Sequence, residues 1–341
     1  MRTDMLLFFQ QHLDRVSRSF AFCIQQLQSP LRDWVSLSYI LCRQLDTIED
    51  TPWESEQKKQ EAFSSFERFL KQIPKANELN EWIKTFPQET PAPEQLLIND
   101  SIRIFEEFHK LKPEIKEILS SHITIMSRGM RHFSNINDDL RLSSLAEVNQ
   151  YCFFVAGIVG KLLTDLFVSY KKGSFTATAE IYKNSYHFGL FLQKINLLKD
   201  RLADEKVNRF LVPEQDLVKE SMRLNAIAAF SYIQSLPVNE KEYRLFCAWS
   251  LFLGLASIPV IEKSWIQKIL EKLPRAITMS IFNEVSKLID DNKKLEKLFY
   301  KLLPKQKKEI QLPVASTHSL PWLEKLCPSA TPHLNDLGLL P

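Results

Sequence analysis

The sequence predicts an all-α protein, and three observations support this fold class. Apolar residues recur at helical spacing through most of residues 8–303, and no alternating apolar and polar run is longer than four residues. Only 7 of the 341 residues are glycine. Because hairpin turns and phosphate-binding loops both depend on glycine, this scarcity argues against a strand-rich architecture and against a glycine-rich nucleotide loop.

Each predicted helix is a stretch in which apolar residues recur at steps of three and four. The residue before a proline avoids the helical conformation, so the first two stretches end at Ser29–Pro30 and Thr51–Pro52. In chain order, the sequence predicts helices over residues 8–28 (one helix or two), 31–50, 56–73, 94–111, 113–133, 144–170, 177–202, 217–235, 240–261, 265–273 and 276–303. Residues 74–93 are polar and contain proline, so a loop with a short helix is predicted there.

The composition changes after Leu303. Prolines recur at positions 304, 313, 321, 328, 332 and 341. A proline inside a helix removes a backbone hydrogen bond and clashes with the preceding turn. We therefore predict one helical domain over residues 1–303 and a proline-containing C-terminal tail over residues 304–341, which is extended and either packs on the domain or is mobile.

Composition and charge exclude several classes of protein. The net charge of +3 is too small for a nucleic-acid-binding protein. The five cysteines form no CxxC pair, which predicts reduced thiols in a cytoplasmic protein. The first residues lack the basic start and apolar run of a signal peptide. Residues 245–261 are 17 uncharged residues, fewer than the roughly 20 of a membrane span, so we favour a buried helix and predict no clear transmembrane helix.

Two acidic clusters, at residues 46–50 and 200–204, lie on predicted helices. Polar residues lead into each cluster at steps of three and four, which places them on one helix face. The first stripe is Ser36, Tyr39, Arg43, Asp46 and Asp50, and the second is Gln193, Asn196, Asp200 and Asp204. A solvent-exposed face explains one such stripe equally well. Two stripes facing each other would hold divalent cations and a diphosphate, because Mg²⁺ binds through one or two carboxylates and substrate phosphates.

Four ordered segments resemble the signatures of the squalene/phytoene synthase family. They are Ser17–Ala21 with Tyr39–Asp50, Tyr151–Gly160, Phe191–Asp204, and Arg209–Pro213. The resemblance covers about residues 8–300 with order and spacing retained. The Asp-Thr-Ile-Glu-Asp form of the first acidic cluster and the Phe-Leu-Gln-Lys at residues 191–194 favour the squalene branch, because phytoene synthases usually begin the first motif with Asp-Asp.

The resemblance implies a single-domain isoprenoid-synthase-type helical bundle around a central cavity, and a prenyltransferase. Two farnesyl diphosphates would condense head to head through presqualene diphosphate to squalene, with Mg²⁺ (or Mn²⁺) and NADPH as cofactors. The product alternatives are dehydrosqualene, phytoene or released presqualene diphosphate. An alternative from a different class is a catalytically inactive family member that acts as an assembly or scaffold protein. No nucleic acid is expected as a partner, and the protein would be a monomer or homodimer.

The resemblance also assigns roles residue by residue. The implied metal ligands are Asp46, Glu49, Asp50, Asn196, Asp200 and Asp204, and the implied catalytic residues are Tyr151 with Asp46, Asp50, Asp200 and Asp204. The implied substrate contacts are Ser17, Ser19, Tyr39, Arg43, Gln193 and Arg209. The implied NADPH contacts are Arg18, Arg43, Lys199, Lys272 and Arg275. A core tyrosine is the alternative for Tyr151, and helix packing is the alternative to contact with alkyl chains for Gly157 and Gly160.

Two departures from the family pattern concern the phosphate-binding groups. Lys199 stands where the squalene branch commonly has arginine, which keeps the charge but not the bidentate geometry. Lys272 and Arg275 match the NADPH-contacting segment only loosely.

Lysines at 287, 293, 294, 297 and 301 alternate with apolar residues. This pattern predicts either a solvated outer helix or a peripheral membrane contact that delivers a water-insoluble product to lipid.

Overall fold

The protein is described by a computed structural model that covers residues 3–134, 140–306 and 310–313, without the side chains of Thr3, Asp4 and Arg18. The described residues divide into two compact units, one drawn from the ranges 1–135 and 165–176 and the other from the ranges 136–164 and 177–341. Most of residues 304–341 lie outside the described part of the chain, so the extended tail stays a prediction. The predicted domain limits and the central cavity also stay predictions.

The described chain is built almost entirely from helices, which confirms the all-α prediction. The helices are α1 (Thr3–Val16), α2 (Arg18–Gln25), α3 (Leu31–Asp50), α4 (Glu56–Lys71), α5 (Ala76–Lys84), α6 (Ala92–Asn99), α7 (Ser101–His109), α8 (Pro113–Ser134), α9 (Leu145–Cys152), α10 (Ile158–Lys171), α11 (Ala179–Asp204), α12 (Gln215–Ser235), α13 (Lys241–Gln267), α14 (Arg275–Leu288) and α15 (Asn292–Leu302). Two short strands, β1 (Leu140–Arg141) and β2 (Arg209–Phe210), pair in parallel.

Side-chain caps fix where several helices begin. Ser55, Ser144 and Thr178 each accept a hydrogen bond from the backbone N–H three residues later, at the start of α4, α9 and α11. Asp291 does the same for α15. Each cap satisfies an N–H group that has no partner within the helix and contributes about 1 kcal/mol. The second acidic cluster therefore lies on a helix whose beginning is specified locally.

The prediction of one helix over residues 94–111 is wrong, because the chain breaks between α6 and α7 at Asp100. Buried Gln44 of α3 donates hydrogen bonds to the Leu97 carbonyl, at 3.4 Å, and to the Ser101 hydroxyl, at 2.8 Å. His12 contacts the Asp100 carboxylate at 2.9 Å. These partners are remote in sequence and stabilise the break, so periodicity alone could not predict it.

The predicted helix over residues 144–170 is also interrupted. Residues Phe153–Gly157 form a π-helical turn between α9 and α10. At this turn the backbone of α11 comes very close, since a Cβ atom on Gly189 would lie 2.1 Å from the carbonyl oxygen of Ala156. A Cβ atom on Gly160 would lie 1.9 Å from the carbonyl oxygen of Ser185. Close helix packing therefore accounts for Gly160, in agreement with the helix-packing alternative.

Two boundaries near the C-terminus differ from the prediction. The α13 helix continues through Pro259 to Gln267, and no helix covers residues 268–274, where one was predicted up to residue 273. The predicted helix over residues 276–303 is divided into α14 and α15 around Asp291. In α15, the apolar residues Leu295, Leu298 and Phe299 are buried, and Phe299 stacks on Phe230 at 4.3 Å between ring centroids. This burial favours the solvated outer helix for the lysine-rich segment.

Among the residues that the structure describes, two segments are long and apolar enough to cross a membrane by length and composition. They are Leu145–Lys171 and Lys241–Gln267. Half of the most apolar window of the first and 61% of that of the second are buried inside the structure, and a buried core helix meets the same criterion. Residues 245–261 form part of α13, so the helix prediction for them is confirmed.

The second unit contains a buried arginine that joins several helix ends. The Arg244 side chain is fully buried and donates hydrogen bonds to the carbonyls of Ile233, Leu236 and Ile289, and to the Asn292 side chain. The first two carbonyls terminate α12, and the third follows α14. The carbonyl end of a helix carries partial negative charge, so the guanidinium is stabilised there without a carboxylate among these partners.

His187 of α11 makes the stability of the second unit dependent on pH. Asn225 uses its side-chain oxygen for Lys194, so its Nδ2 donates to His187 Nδ1 at 2.9 Å. Burial, helped by Lys194 and Lys183, lowers the pKa of His187 to about 4. The unfolded histidine titrates near 6.5. Between these values the unfolded chain binds more protons than the folded chain, so stability falls as the pH falls.

We expect the wild-type protein to lose on the order of 2–3 kcal/mol of unfolding free energy between about pH 7 and 4 that the His187→Gln variant does not lose. Urea unfolding at a series of pH values measures this difference. Because the variant cannot gain the proton, subtracting its curve removes the contributions of the other titrating groups. Parallel curves for the two proteins would contradict the prediction.

Candidate active site

The first polar stripe follows α3, and most other residues of this helix are buried. The Asp46 side chain is 28% exposed and Asp50 is exposed, whereas Glu49 is buried. Arg43 contacts the Asp46 carboxylate at 3.5 Å and donates to Glu94 at 2.6 Å. Glu94 lies on α6 and is a polar contact of the stripe. It was not identified in the sequence, because its partner Arg43 lies 51 positions away.

The charge of Arg43 is secured by these two carboxylates. Burial lowers the pKa of Arg43, but the charge of Asp46 and the hydrogen bond that Arg43 donates to Glu94 outweigh this effect and raise the pKa above its ordinary value. Tyr39 lies one helical turn earlier, and burial raises its pKa to about 12 although a hydrogen bond with Ser17 acts in the opposite direction. The structure therefore brings Ser17, Tyr39, Arg43 and Asp46 together in the first unit. Both Tyr39 and Arg43 keep their protons at neutral pH.

The predicted site residues between α1 and α3 differ in their exposure to solvent. Ser17 is partly buried, and Ser19 is exposed. The aromatic ring of Phe20 lies 5.9 Å from that of Tyr39. The side chain of Arg18, a predicted NADPH contact, lies outside the described residues.

The second polar stripe follows α11 in the second unit. Gln193 and Asp204 are partly buried, Asn196 is exposed, and the Asp200 side chain is 49% exposed. Lys199 lies 3.1 Å from the Asp200 carboxylate and donates to Asn196 at 3.3 Å. A single lysine thus contacts two of the predicted metal ligands, and it would also be close to any phosphate that these residues bind.

Tyr151 and Arg209 lie together in the second unit, although 58 residues separate them in the chain. Tyr151 is 2% exposed, and its hydroxyl accepts a hydrogen bond from Arg209 at 3.4 Å. The parallel pair of β1 and β2 holds the backbone of Arg209 in place. One contact therefore joins two residues that the resemblance assigns to the reaction. The burial of Tyr151 also agrees with the alternative that it is a core tyrosine.

Lys194 anchors α11 to α12, a role that the sequence pattern does not indicate. Its side chain is fully buried and donates to Ser221 at 2.6 Å and to Asn225 at 2.7 Å. Burial lowers the pKa of Lys194 to about 8. A lysine on a face surrounded by apolar residues was the available signal, but the partners on α12 could not be identified from α11 alone.

The predicted NADPH contacts Lys272 and Arg275 are both exposed. Lys272 lies in the segment between α13 and α14, and Arg275 is the first residue of α14. Their role stays a prediction.

The chemistry of the two stripes fits Mg²⁺. Their carboxylate and amide groups offer the oxygen ligands that this ion prefers. Within the described part of the chain, no three histidine, cysteine or acidic side chains are grouped closely enough to hold a metal ion. Mg²⁺ usually keeps several waters and binds through one or two carboxylates plus substrate phosphates, so it does not require a cage of three protein ligands.

Comparison with solved structures identifies the fold. The structures of TcSQS with the ligands E5700 and BPH1237 each superpose with a TM-score of 0.73, covering 98% of this chain and 97% of the other. Sequence identity in both comparisons is 21%, so they establish a shared all-α fold.

The chain belongs to the squalene/phytoene synthase family, which matches residues 13–256. It is 33% identical to the squalene synthase of Eremothecium gossypii over 242 residues, which are 67% of this chain and 52% of the relative. It is 32% identical to squalene synthase ERG9 of Candida albicans over 241 residues, again 67% of this chain and 52% of the relative. The chain spans about half the length of these curated relatives. Family membership confirms the resemblance seen in the sequence.

Proposed function

We propose that this protein condenses two molecules of farnesyl diphosphate head to head, through presqualene diphosphate, to squalene. The observation that carries the proposal is that each acidic stripe is accompanied by a basic group, Arg43 on α3 and Lys199 on α11. Carboxylates paired with cationic groups suit a site that binds both divalent cations and a diphosphate. The names of the curated relatives support the squalene branch.

The residues of the two stripes would have complementary tasks. Asp46, Asp50, Asp200 and Asp204, assisted by Glu49 and Asn196, would hold Mg²⁺, which when bound stabilises negative charge on the leaving diphosphate. Arg43 remains protonated and would bind a phosphate oxygen, while Glu94 fixes its orientation. Lys199 would act as a second phosphate contact, as a point charge rather than a bidentate clamp.

Apolar and aromatic side chains would protect the reactive hydrocarbon. After the first diphosphate departs, the double bond of the second molecule would attack the allylic cation, and loss of a proton would then close the cyclopropane ring of presqualene diphosphate. A second ionisation gives a cation that water would quench, so the surrounding site must be dry. Phe153 and Phe191 are fully buried and lie two residues from Tyr151 and Gln193 in the chain, so they would keep the surroundings of such a site apolar. Tyr151, held by Arg209, would orient its hydroxyl toward the reacting chain.

NADPH would supply the hydride that reduces the final cation to squalene. The contacts proposed for it are Arg18, Arg43, Lys199, Lys272 and Arg275. Because Lys272 and Arg275 are exposed and match the family pattern loosely, the reduction is the step that an experiment must examine first.

Incubation of the purified protein with farnesyl diphosphate and Mg²⁺, with and without NADPH, tests the proposal by lipid analysis. We expect squalene when NADPH is present, and presqualene diphosphate or unreduced C30 products when it is omitted. Replacing Mg²⁺ by a chelator should stop the release of diphosphate in both cases. A product mixture that does not respond to NADPH would instead assign the protein as a dehydrosqualene-type or presqualene-releasing enzyme.

The catalytically inactive scaffold is the second candidate. It predicts no diphosphate release under any of these conditions, although the protein would be folded. The retention of both acidic stripes favours the enzyme.

A further inference from the structure

An exposed apolar surface lies where α13 ends in the second unit. Ile266, Ile269 and Leu270 are 85%, 60% and 52% exposed. We call these three residues, together with Lys268, the α13 terminal patch. Single exposed apolar residues are common, but three within five positions of the chain form a group that water solvates unfavourably.

Hydrogen bonds hold the backbone of this patch in a defined shape. Ser264 accepts from the backbone N–H of Ile269 through its carbonyl, at 3.2 Å, and from that of Glu271 through its hydroxyl, at 3.1 Å. Lys263 donates to the Glu271 carboxylate at 2.7 Å. The turn after α13 is therefore fixed, and its apolar side chains are presented outward although a neighbouring side chain, Trp265, turns inward.

Trp265 connects this surface to the helix that carries the second acidic cluster. Its indole N–H donates to the carbonyl of Leu198 on α11 at 3.0 Å. Leu198 lies two residues before Asp200. The end of α13 is thereby attached to the part of α11 where the proposed reaction would take place.

The charges around the patch are mostly positive. Residues 263–275 contain four basic residues and one acidic residue, Glu271, which is paired with Lys263. Lys268, Lys272 and Arg275 are exposed beside the apolar side chains. Apolar residues that project between basic residues match a surface with an apolar interior and negatively charged headgroups.

We propose that the α13 terminal patch docks the protein on an anionic lipid bilayer. Ile266, Ile269 and Leu270 enter the boundary between headgroups and acyl chains, and Lys268 contacts lipid phosphates. The α15 helix does not provide this contact, because its apolar residues are used in the core. The docking itself is independent of the proposed function. Only its purpose, the transfer of a water-insoluble product into lipid near Asp200, rests on that function.

Co-sedimentation of the full chain with vesicles of phosphatidylcholine and phosphatidylserine tests the proposal. We expect the wild-type protein to bind at low salt and to be partly released at high salt, because salt screens the lysine contacts. The triple variant Ile266→Asn, Ile269→Asn, Leu270→Asn should bind at least about ten-fold more weakly. Lys268→Gln should weaken binding by about five-fold on anionic vesicles and leave binding to pure phosphatidylcholine unchanged.

Two control variants remove comparable groups elsewhere. Ile73→Asn removes an exposed isoleucine of the first unit, 76% exposed, and Lys297→Gln removes a lysine of α15. Both should bind vesicles like the wild type. Circular dichroism confirms that each variant is folded, and turnover of farnesyl diphosphate in detergent is measured in parallel, so that loss of docking and loss of activity are separated.

Three results would overturn the proposal. The first is wild-type protein that stays in the supernatant with anionic vesicles at low salt. The second is a folded triple variant that binds as well as the wild type. The third is a wild-type dimer in solution that the triple variant converts to a monomer without any change in vesicle binding, which would show that a second copy of the chain covers the patch.

Discussion

Replacing Asp200 by asparagine is expected to lower turnover of farnesyl diphosphate on the order of 10²–10³-fold while the protein remains folded. The substitution keeps the shape of the side chain and removes the charge that would hold Mg²⁺. Its cost in stability should be small, since the Asp200 contact with Lys199 is about half exposed on both sides, and such pairs contribute roughly 0–1 kcal/mol. Single-turnover release of diphosphate and thermal melting measure the two effects separately.

The corresponding change in the first stripe, Asp50→Asn, should have the same consequence. Glu284→Gln is the matched control, because Glu284 is an exposed carboxylate on α14 outside the proposed site. It should leave both turnover and melting unaffected. Near-normal turnover of Asp200→Asn would remove the metal-site assignment on α11, whatever the outcome for Asp50→Asn.

Replacing Arg244 by methionine should cause the largest loss of stability, about 3–5 kcal/mol. Methionine fills similar space but leaves the carbonyls of Ile233, Leu236 and Ile289 without the guanidinium that satisfies them. Each buried acceptor left unsatisfied costs about 1–3 kcal/mol, and partial relaxation keeps the total below the sum. Urea unfolding followed by circular dichroism measures the change.

Lys241→Met provides the comparison for Arg244→Met. Lys241 belongs to the same helix, and its contact with Asp290 is about half exposed on both sides. Losing this contact should change the unfolding free energy by less than about 1 kcal/mol. If the two variants lost similar amounts, the buried arginine would not be the link between the helix ends that its hydrogen bonds indicate.

Local signals were sufficient for the helices that carry the acidic stripes. The predicted bounds of α3 agree with the structure because Pro30 and Pro52 flank it closely. The α11 helix was predicted within two residues at each end, since a threonine cap precedes it and its apolar periodicity is long. The grouping of polar residues on one face of each helix follows from the same periodicity.

Features that depend on remote partners were missed. The break at Asp100 is stabilised by Gln44, the partner of Arg43 is Glu94, and Lys194 is satisfied by residues of α12. The end of α13 was misplaced by several residues because the hydrogen bonds of Ser264 decide it, and these compete with helix continuation at a position where the apolar pattern itself does not stop.

The sequence by itself determined the all-α class, the bounds of the main helices, the two acidic stripes and the family resemblance, because these depend on spacing along the chain. The tertiary structure decided which residues satisfy Arg43, Lys194, Tyr151 and Arg244, and which apolar residues remain exposed. Helical periodicity specifies a face but not its neighbour. Partner choice and burial depend on how several helices pack at once, and that information lies in the three-dimensional arrangement of distant segments.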